Sequence, residues 1–268
     1  TGFERVRRYD RDLPDWSEMR RNDQFYAGDF SGDGRDDLMV FNGRDWNMPY
    51  FLMLRSTGTQ LVYSRRYDRY LPGWEMGRNE RFHVGDYNGD GRMGVIAHNT
   101  QDWNQVHLMI FNSTGSALSL ADRYYGTIQQ GNSLFWTMRR QDELIPVNFN
   151  GDRTKDLAIF NGRDWGPEYL ALFACNEAGR LQFRRRYEDT IPGWNMRRRD
   201  RFYAADVNGD GNEDLVVFNA VNWSTQYLGI LRSNGENALQ GTWQSGWIGG
   251  WNLGSVDNFH VAEFRGSG

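Results

Sequence analysis

The chain has 268 residues, with 31 Lys+Arg against 35 Asp+Glu and a formal net charge of −4 at pH 7. That balance excludes a polybasic nucleic-acid or membrane binder, and no apolar run approaches the roughly 20 residues that span a bilayer. The single cysteine, Cys175, excludes an internal disulfide and a cysteine-based metal centre and reads as a small buried residue, and with 4 His a His-rich metal centre is not expected. Aromatic residues make up 15 % of the chain, with 11 Trp, so some are available beyond an aromatic-rich core.

In chain order, the segment VRRYDRDLPDW comes first and copies a strand and its exit that recur further on. Phe25 to Phe30 alternates as a strand entering an acidic loop, and the apolar run Asp37 to Phe41 leaves it. Tyr50 to Leu54 is a third strand, closed by the turn Ser56-Thr57-Gly58, and Leu61 to Tyr67 a fourth. Turn residues punctuate each junction and no stretch sustains a helical period.

This pattern repeats. DFSGDGRDDLMVFN from Asp29, DYNGDGRMGVIAHN from Asp86, NFNGDRTKDLAIFN from Asn148 and DVNGDGNEDLVVFN from Asp206 start 57, 62 and 58 residues apart. A decayed start lies at Glu263. Tryptophan keeps the same spacing, in the series Trp46, Trp103, Trp165, Trp223 and the series Trp16, Trp74, Trp136, Trp194, Trp251. Four short strands per unit of roughly 40–60 residues predict an all-β fold, a β-propeller of four-stranded blades. The reading is a single domain over 1–268, with repeats near 25–81, 82–143, 144–201 and 202–258 and end segments 1–24 and 259–268. The leading copy of a fourth strand and the trailing copy of a first strand, Phe259 to Phe264, leave three arrangements open. They are a four-bladed ring sealed by its overlapping ends, which is favoured, part of a larger ring completed by a second chain, or a fifth incomplete blade.

The acidic loops have the donor pattern of calcium sites. In the first, Asp29, Ser31, Asp33 and Asp37 occupy positions 1, 3, 5 and 9, and the carbonyl of Arg35 at position 7 can add a ligand. Alternating oxygens wrap a hard cation that takes six to eight of them. The fourth loop is complete, with Asp206, Asn208, Asp210, Asn212 at position 7, and Asp214. The third, Asn148, Asn150, Asp152 and Asp156, carries one charge less. The second, Asp86, Asn88 and Asp90, has Gly94 at position 9. Affinity should rank first and fourth above third above second; the competing reading is that the loops are only tight Asx-Gly turns.

The pattern [AG]-D-x-[NS]-G-D-G-x-x-D-L-x-V resembles the FG-GAP/VCBS repeat family, found also in the integrin α-subunit propeller. The resemblance implies that each loop joins the first two strands of a blade and holds a structural Ca²⁺. It covers nearly the whole chain and departs at Gly94. Fold alone does not give function.

Two further motifs bear on function. FNGRDW, as Asn42/Asp45/Trp46 and Asn161/Asp164/Trp165, decays to Asn99/Asp102/Trp103 and Asn219/Asn222/Trp223. It follows the second strand, at one rim, where an indole could stack on a pyranose while Asn and Asp fix hydroxyls, or could pack between blades. W-x-M-x-R-x-[DE], as Trp74/Met76/Arg78/Glu80, Trp136/Met138/Arg140/Asp142 and Trp194/Met196/Arg198/Asp200, lies between consecutive blades; the Trp16 copy has an insertion and the Trp251 copy lacks Met and Arg. Period-two spacing would place the four side chains on one side of an extended segment. The seam is then either a lock, with Arg paired to the acid, or a pocket with Trp as its floor and Arg and the acid as polar contacts; lectins resembling this family bind sugars between blades. The clusters Arg184–Arg186 and Arg197–Arg199, interleaved with acids, read as a solvated face.

The expected function is a secreted or extracellular, calcium-stabilised, multivalent carbohydrate-binding propeller, with glycans or glycoproteins as partners and no catalysis. The alternative is a protein-interaction or adhesion module presenting a protein-binding surface, and a glycan hydrolase is a distant third. No nucleic acid and no membrane span are expected, and a homo-oligomer follows if the ring is incomplete.

Overall fold

The computed structural model describes residues 7–9, 13, 19–45, 47–102, 104–164, 166–219, 221, 226–236, 238–248, 251–254, 257 and 259. All regular structure among them is strand. The first sheet runs β1 (Gln24–Gly28), β2 (Asp37–Asn42), β3 (Tyr50–Ser56), β4 (Leu61–Asp68), each antiparallel to the next, followed by a hairpin of β5 (Tyr70–Leu71) and β6 (Trp74–Glu75). The second is β7 (Arg81–Gly85), β8 (Gly94–Asn99), β9 (His107–Ser113), β10 (Leu118–Tyr125), with the hairpin β11 (Thr127–Gln130) and β12 (Ser133–Thr137). In the third, β13 (Glu143–Val147), β14 (Asp156–Asn161), β15 (Tyr169–Cys175) and β16 (Leu181–Glu188) continue into β17 (Thr190–Ile191) and β18 (Trp194–Asn195). The fourth is β19 (Arg201–Ala205), β20 (Asp214–Asn219), β21 (Tyr227–Ser233), β22 (Leu239–Ser245), with the hairpin β23 (Trp247–Ile248) and β24 (Trp251–Asn252).

The chain forms two compact units. One holds Thr1–Gln129 and Asn176–Arg180, the other Gln130–Cys175 and Leu181–Gly268. The first thus contains the first two four-stranded sheets, and the second the last two together with most of the β11–β12 hairpin. In each sheet the second strand is almost wholly buried, as in the uninterrupted pattern of DLAIFN in β14. Covered on both faces, such strands are continuous apolar runs, which is why DLMVFN and DLVVFN do not alternate. The first strand carries one ring into the preceding sheet of its unit: Phe82 lies 5.0 Å from Phe41 and 5.0 Å from Phe51, and Phe202 lies 4.8 Å from Phe160. Burying such rings contributes about 1.5–3 kcal/mol each.

The end segments take equivalent places. Phe259 sits 4.6 Å from Phe218, as Phe202 sits against Phe160. The Tyr9 hydroxyl accepts the Leu61 N–H at 2.7 Å, as Tyr67 accepts that of Leu118 at 2.8 Å and Tyr187 that of Leu239 at 2.7 Å. Of the expected trailing strand, Phe259 to Phe264, only Phe259 lies among the described residues.

Two features depart from the sequence reading. The link between sheets is a paired hairpin, not a plain connection. Its turns at Pro72-Gly73 and Pro192-Gly193 put proline first and a positive-φ glycine second, at 71° and 84°. The fourth strand carries a bulge in three sheets, at Met53/Leu54, Leu120/Asp122 and Leu172/Phe173, leaving Ser64, Ala121 and Arg184 outside the strand register. A bulge twists and bends an outer strand, which discourages pairing with another chain.

Candidate functional site

The acid of each seam motif is the centre of a buried cluster. Trp136 Nε1–H and the Arg139 N–H both donate to one oxygen of Asp142, at 2.8 and 2.9 Å, and the Asn161 amide donates to the other at 2.6 Å. Asp200 is held in the same way by Trp194 at 2.8 Å, the Arg197 N–H at 2.9 Å and Asn219 at 2.6 Å. Around Glu80 the donors are Trp74 at 3.3 Å, the Gly77 N–H at 2.8 Å and Asn99 at 3.1 Å. Burial pushes Asp142 and Asp200 up to about 6 and Glu80 to about 7, against the pull of these hydrogen bonds. In the copy with the insertion, Asp23 accepts the Arg20 N–H, the Asn42 amide and the Tyr50 hydroxyl.

The same Asn links this cluster to the rim motif. Asn42, Asn99 and Asn161 also donate to Asp45, Asp102 and Asp164, at 2.9, 2.8 and 3.0 Å. Those acids in turn accept the backbone N–H groups of Asn22, Asn79 and Gln141. Hydrogen bonds from Asn42 and Asn22 hold the Asp45 carboxyl below its ordinary value. The two motifs that read as rival ligand sites are therefore one hydrogen-bonded network, and the rim Asn and Asp are engaged inside it.

The expected one-sided Trp–Met–Arg–acid series does not form. Trp74, Trp136 and Trp194 are only 8, 4 and 5 % exposed, and Met76, Met138 and Met196 are buried beside them. The chain then turns, because the acid reaches back to the N–H of the residue three earlier. Arg78, Arg140 and Arg198 are left at least partly exposed, and the acid pairs with the indole and amide instead of arginine. Trp46, Trp165, Trp103, Trp223 and Trp16 lie outside the described residues.

Cavities open beside these clusters. One of about 590 Å³ lies between the β17–β18 hairpin, including Trp194, and Tyr227. One of about 130 Å³ is lined by Leu134, Phe135, Trp136, Tyr169 and Arg186. In the first unit a cavity of about 370 Å³ is lined by Met48, Arg69, Glu75, Arg78 and Asp102. Tyr227 lines the first and Tyr169 the second, each half-buried, with the buried indoles of Trp194 and Trp136 in the same linings. Trp136 meets Tyr169 edge-on at 6.5 Å, and Arg186 lies 5.3 Å over that tyrosine; Trp74 meets His107 at 5.0 Å. Sequence reasoning missed this position, although Tyr50, His107, Tyr169 and Tyr227 keep the repeat spacing of 57, 62 and 58.

The acidic loops lie between first and second strands. Asp29 accepts the N–H groups of Gly32, Asp33 and Gly34, while Asp33 accepts the N–H and guanidinium of Arg35. Asp86 and Asp206 do the same for Gly89, Asp90, Gly91 and for Gly209, Asp210, Gly211. Asp90 pairs with Arg92, and Asp210 accepts from Asn208 and Asn212. Asp37 and Asp214 are buried and accept the N–H of Ser56 and Ser233. In the third loop Asn150 donates to Asp152, and Asn148 Oδ1 and Asp156 Oδ2 are buried with no hydrogen-bond partner. Among the described residues no three His, Cys, Asp or Glu side chains converge as a metal site. Gly94 has no room for the missing carboxylate, since a Cβ there would meet the Phe111 carbonyl oxygen at 2.4 Å.

No family model matches the chain, and no curated protein does. Among solved structures it is similar to an Agrocybe aegerita lectin that recognises non-reducing terminal N-acetylglucosamine, at 15 % identity and TM-score 0.55, over 86 % of this chain and 54 % of the lectin. It also matches a Bacillus licheniformis rhamnogalacturonan lyase, at 13 % identity and TM-score 0.47, over 86 % of this chain and 50 % of the lyase. The chain thus spans about half the length of these structures. The first likeness bears on the fold.

Proposed function

We propose that this chain is a non-catalytic β-propeller of FG-GAP/VCBS type that binds carbohydrate at several seams between its sheets. The observation that carries the reading is the recurrence of an aromatic-lined cavity at the hairpin, with Trp194 and Tyr227 at one and Trp136 and Tyr169 at another. A half-buried tyrosine ring suits the C–H face of a sugar, and at Tyr169 the guanidinium of Arg186 can also reach its hydroxyls. The similar lectin's recognition of terminal N-acetylglucosamine makes that sugar the first probe. Buried acids recur in like surroundings at each seam, which suits equivalent binding sites better than one catalytic cleft. Linked weak sites then act through avidity.

Calcium belongs to the same reading. Asn148 Oδ1 and Asp156 Oδ2 are buried acceptors at positions 1 and 9 of one loop, with Asn150 and Asp152 between them. Together they fit a hard cation, which would neutralise the loop and tie its two strands. An extracellular setting, where such modules bind calcium at roughly 10⁻⁴–10⁻³ M, goes with it.

Titration calorimetry with N-acetylglucosamine tests the sugar sites. Tyr227→Ala and Tyr169→Ala should each remove one class of site while the protein stays folded. Loss of binding on changing Trp46 and Trp165 alone would move the site to the rim. The exposed Tyr70 and Leu134, at 53 and 58 %, favour the second reading, a protein-interaction module. A glycan array without a single bound sugar would leave that reading in its place.

A further inference from the structure

A separate pit lies on the rim of the second unit, at the end of the sheets away from the acidic loops. Its volume is about 130 Å³, and its lining includes Arg163, Arg199 and Arg201. Glu143 is the acid beside them, and Phe218 and Val221 form an apolar wall. Asp200 also borders the pit, but its oxygens are occupied by the Trp194 indole, the Arg197 N–H and the Asn219 amide. Asp200 is 1 % exposed, so the chain directions at Arg199 and Arg201 on either side of it point both arginines outward, and both are exposed. Arg163 is placed by its own N–H, which donates to Asn161 at 3.0 Å.

We infer that this pit binds the oxyanion of an acidic saccharide, a carboxylate or a sulfate. Guanidinium forks match both groups with paired hydrogen bonds, and the three arginines outnumber the two carboxylates of the lining, Glu143 and Asp200. A water molecule occupies roughly 30 Å³ in the liquid, so the pit admits one oxyanion group while the sugar ring stays against the apolar wall at its mouth. It has no length for a peptide backbone. The corresponding positions in the first unit are Arg44, Asn79 and Arg81, where Arg44 donates to Asn79 at 3.3 Å. The full set of three arginines is peculiar to this seam among the two units.

The inference rests on the carbohydrate reading for the nature of the ligand, and its test separates the two. Glucuronic acid and N-acetylglucosamine 6-sulfate are titrated beside neutral N-acetylglucosamine, inorganic sulfate and hexaglutamate. The acidic sugars should bind at least tenfold tighter than the neutral one, and the advantage should shrink with added salt. Arg199→Asn, which places the first unit's residue there, and Arg201→Ala should each erase that advantage and leave neutral-sugar binding unchanged. Thermal melts confirm that both variants fold; should Arg201→Ala melt early, Arg163→Gln replaces it. Acidic and neutral sugars binding equally would overturn the inference and leave the carbohydrate reading standing. Inorganic sulfate or hexaglutamate binding as tightly as the acidic sugars would overturn it too, because the site would then hold a free ion or an acidic peptide.

Discussion

Asn161 shows how much one side chain can hold. Its amide donates to Asp142 and Asp164, and its carbonyl oxygen accepts the N–H groups of Arg163 and Asp164. Asn161→Ala leaves one oxygen of buried Asp142 without its donor, while the exposed Asp164 and Arg163 turn to water, and it should cost about 1–3 kcal/mol in urea unfolding. A cost below about 1 kcal/mol would show that water replaces the amide. His98 is the opposite case. It stands where Phe41, Phe160 and Phe218 stand in the other sheets, is 2 % exposed, and has no partner for Nε2. Burial, then His83 and Arg81, push its pKa down to about 3. The unfolded chain therefore binds a proton that the folded chain refuses between about pH 6.5 and 3, and stability falls as pH drops through that window. His98→Phe should raise stability by about 2 kcal/mol at pH 5 and little at pH 8. Equal gains in melts at the two pH values would count against it.

At the scale of elements, the hairpins and loops join neighbouring sheets within each unit. The Phe30 carbonyl accepts the Ser113 hydroxyl at 2.6 Å, and Ser233 reaches the Phe149 carbonyl in the same way. The Met93 N–H donates to the Asp29 carbonyl at 2.8 Å and that of Glu213 to Asn148 at 2.7 Å, so adjacent loops clasp each other. The hairpin turns look alike in sequence but differ in their surroundings. A Cβ on Gly193 would lie 2.2 Å from the Gly241 carbonyl oxygen, whereas one on Gly73 would meet only Leu120 Cδ2 at 3.1 Å and the Arg123 guanidinium at 3.7 Å. Both glycines have positive φ, so alanine costs about 1–2 kcal/mol at either. Gly193→Ala adds a backbone clash and should cost about 3 kcal/mol or more, against about 1–2 for Gly73→Ala. Equal losses in chemical denaturation would show that the Gly193 hairpin shifts freely.

For the whole molecule, the testable quantity is linkage to the metal. A cation bound only by the folded chain raises the melting temperature with its concentration. EDTA should therefore lower it and millimolar calcium restore it. Asp210→Ala should reduce the calcium-dependent shift more than Asp90→Ala, because the second loop already lacks a carboxylate at Gly94. An EDTA-treated sample melting with the calcium-loaded one would mean that the carboxylate-to-backbone bonds of Asp29, Asp86 and Asp206 suffice to shape the loops.

Much of the architecture was legible in the residues alone. Periodic DxxGDG loops and doubly buried strands such as DLAIFN set the four-stranded sheets, because local turn chemistry and apolar run length act over a few neighbours. The turn residues Pro72-Gly73 mark the hairpin, but its pairing appears only in the structure. What the sequence left open was which side chains face each other across the sheets. Trp136 and Asp142 belong to one motif and Asn161 and Asp164 to the other, and the β13–β14 pairing, one step past Glu143↔Phe160, together with side-chain packing brings them together. That packing turns the acids toward indole and amide donors, since a buried carboxylate must find hydrogen bonds. It leaves Tyr169 and Tyr227 as the accessible rings, and it gathers Arg163, Arg199 and Arg201 from two sheets into one pit.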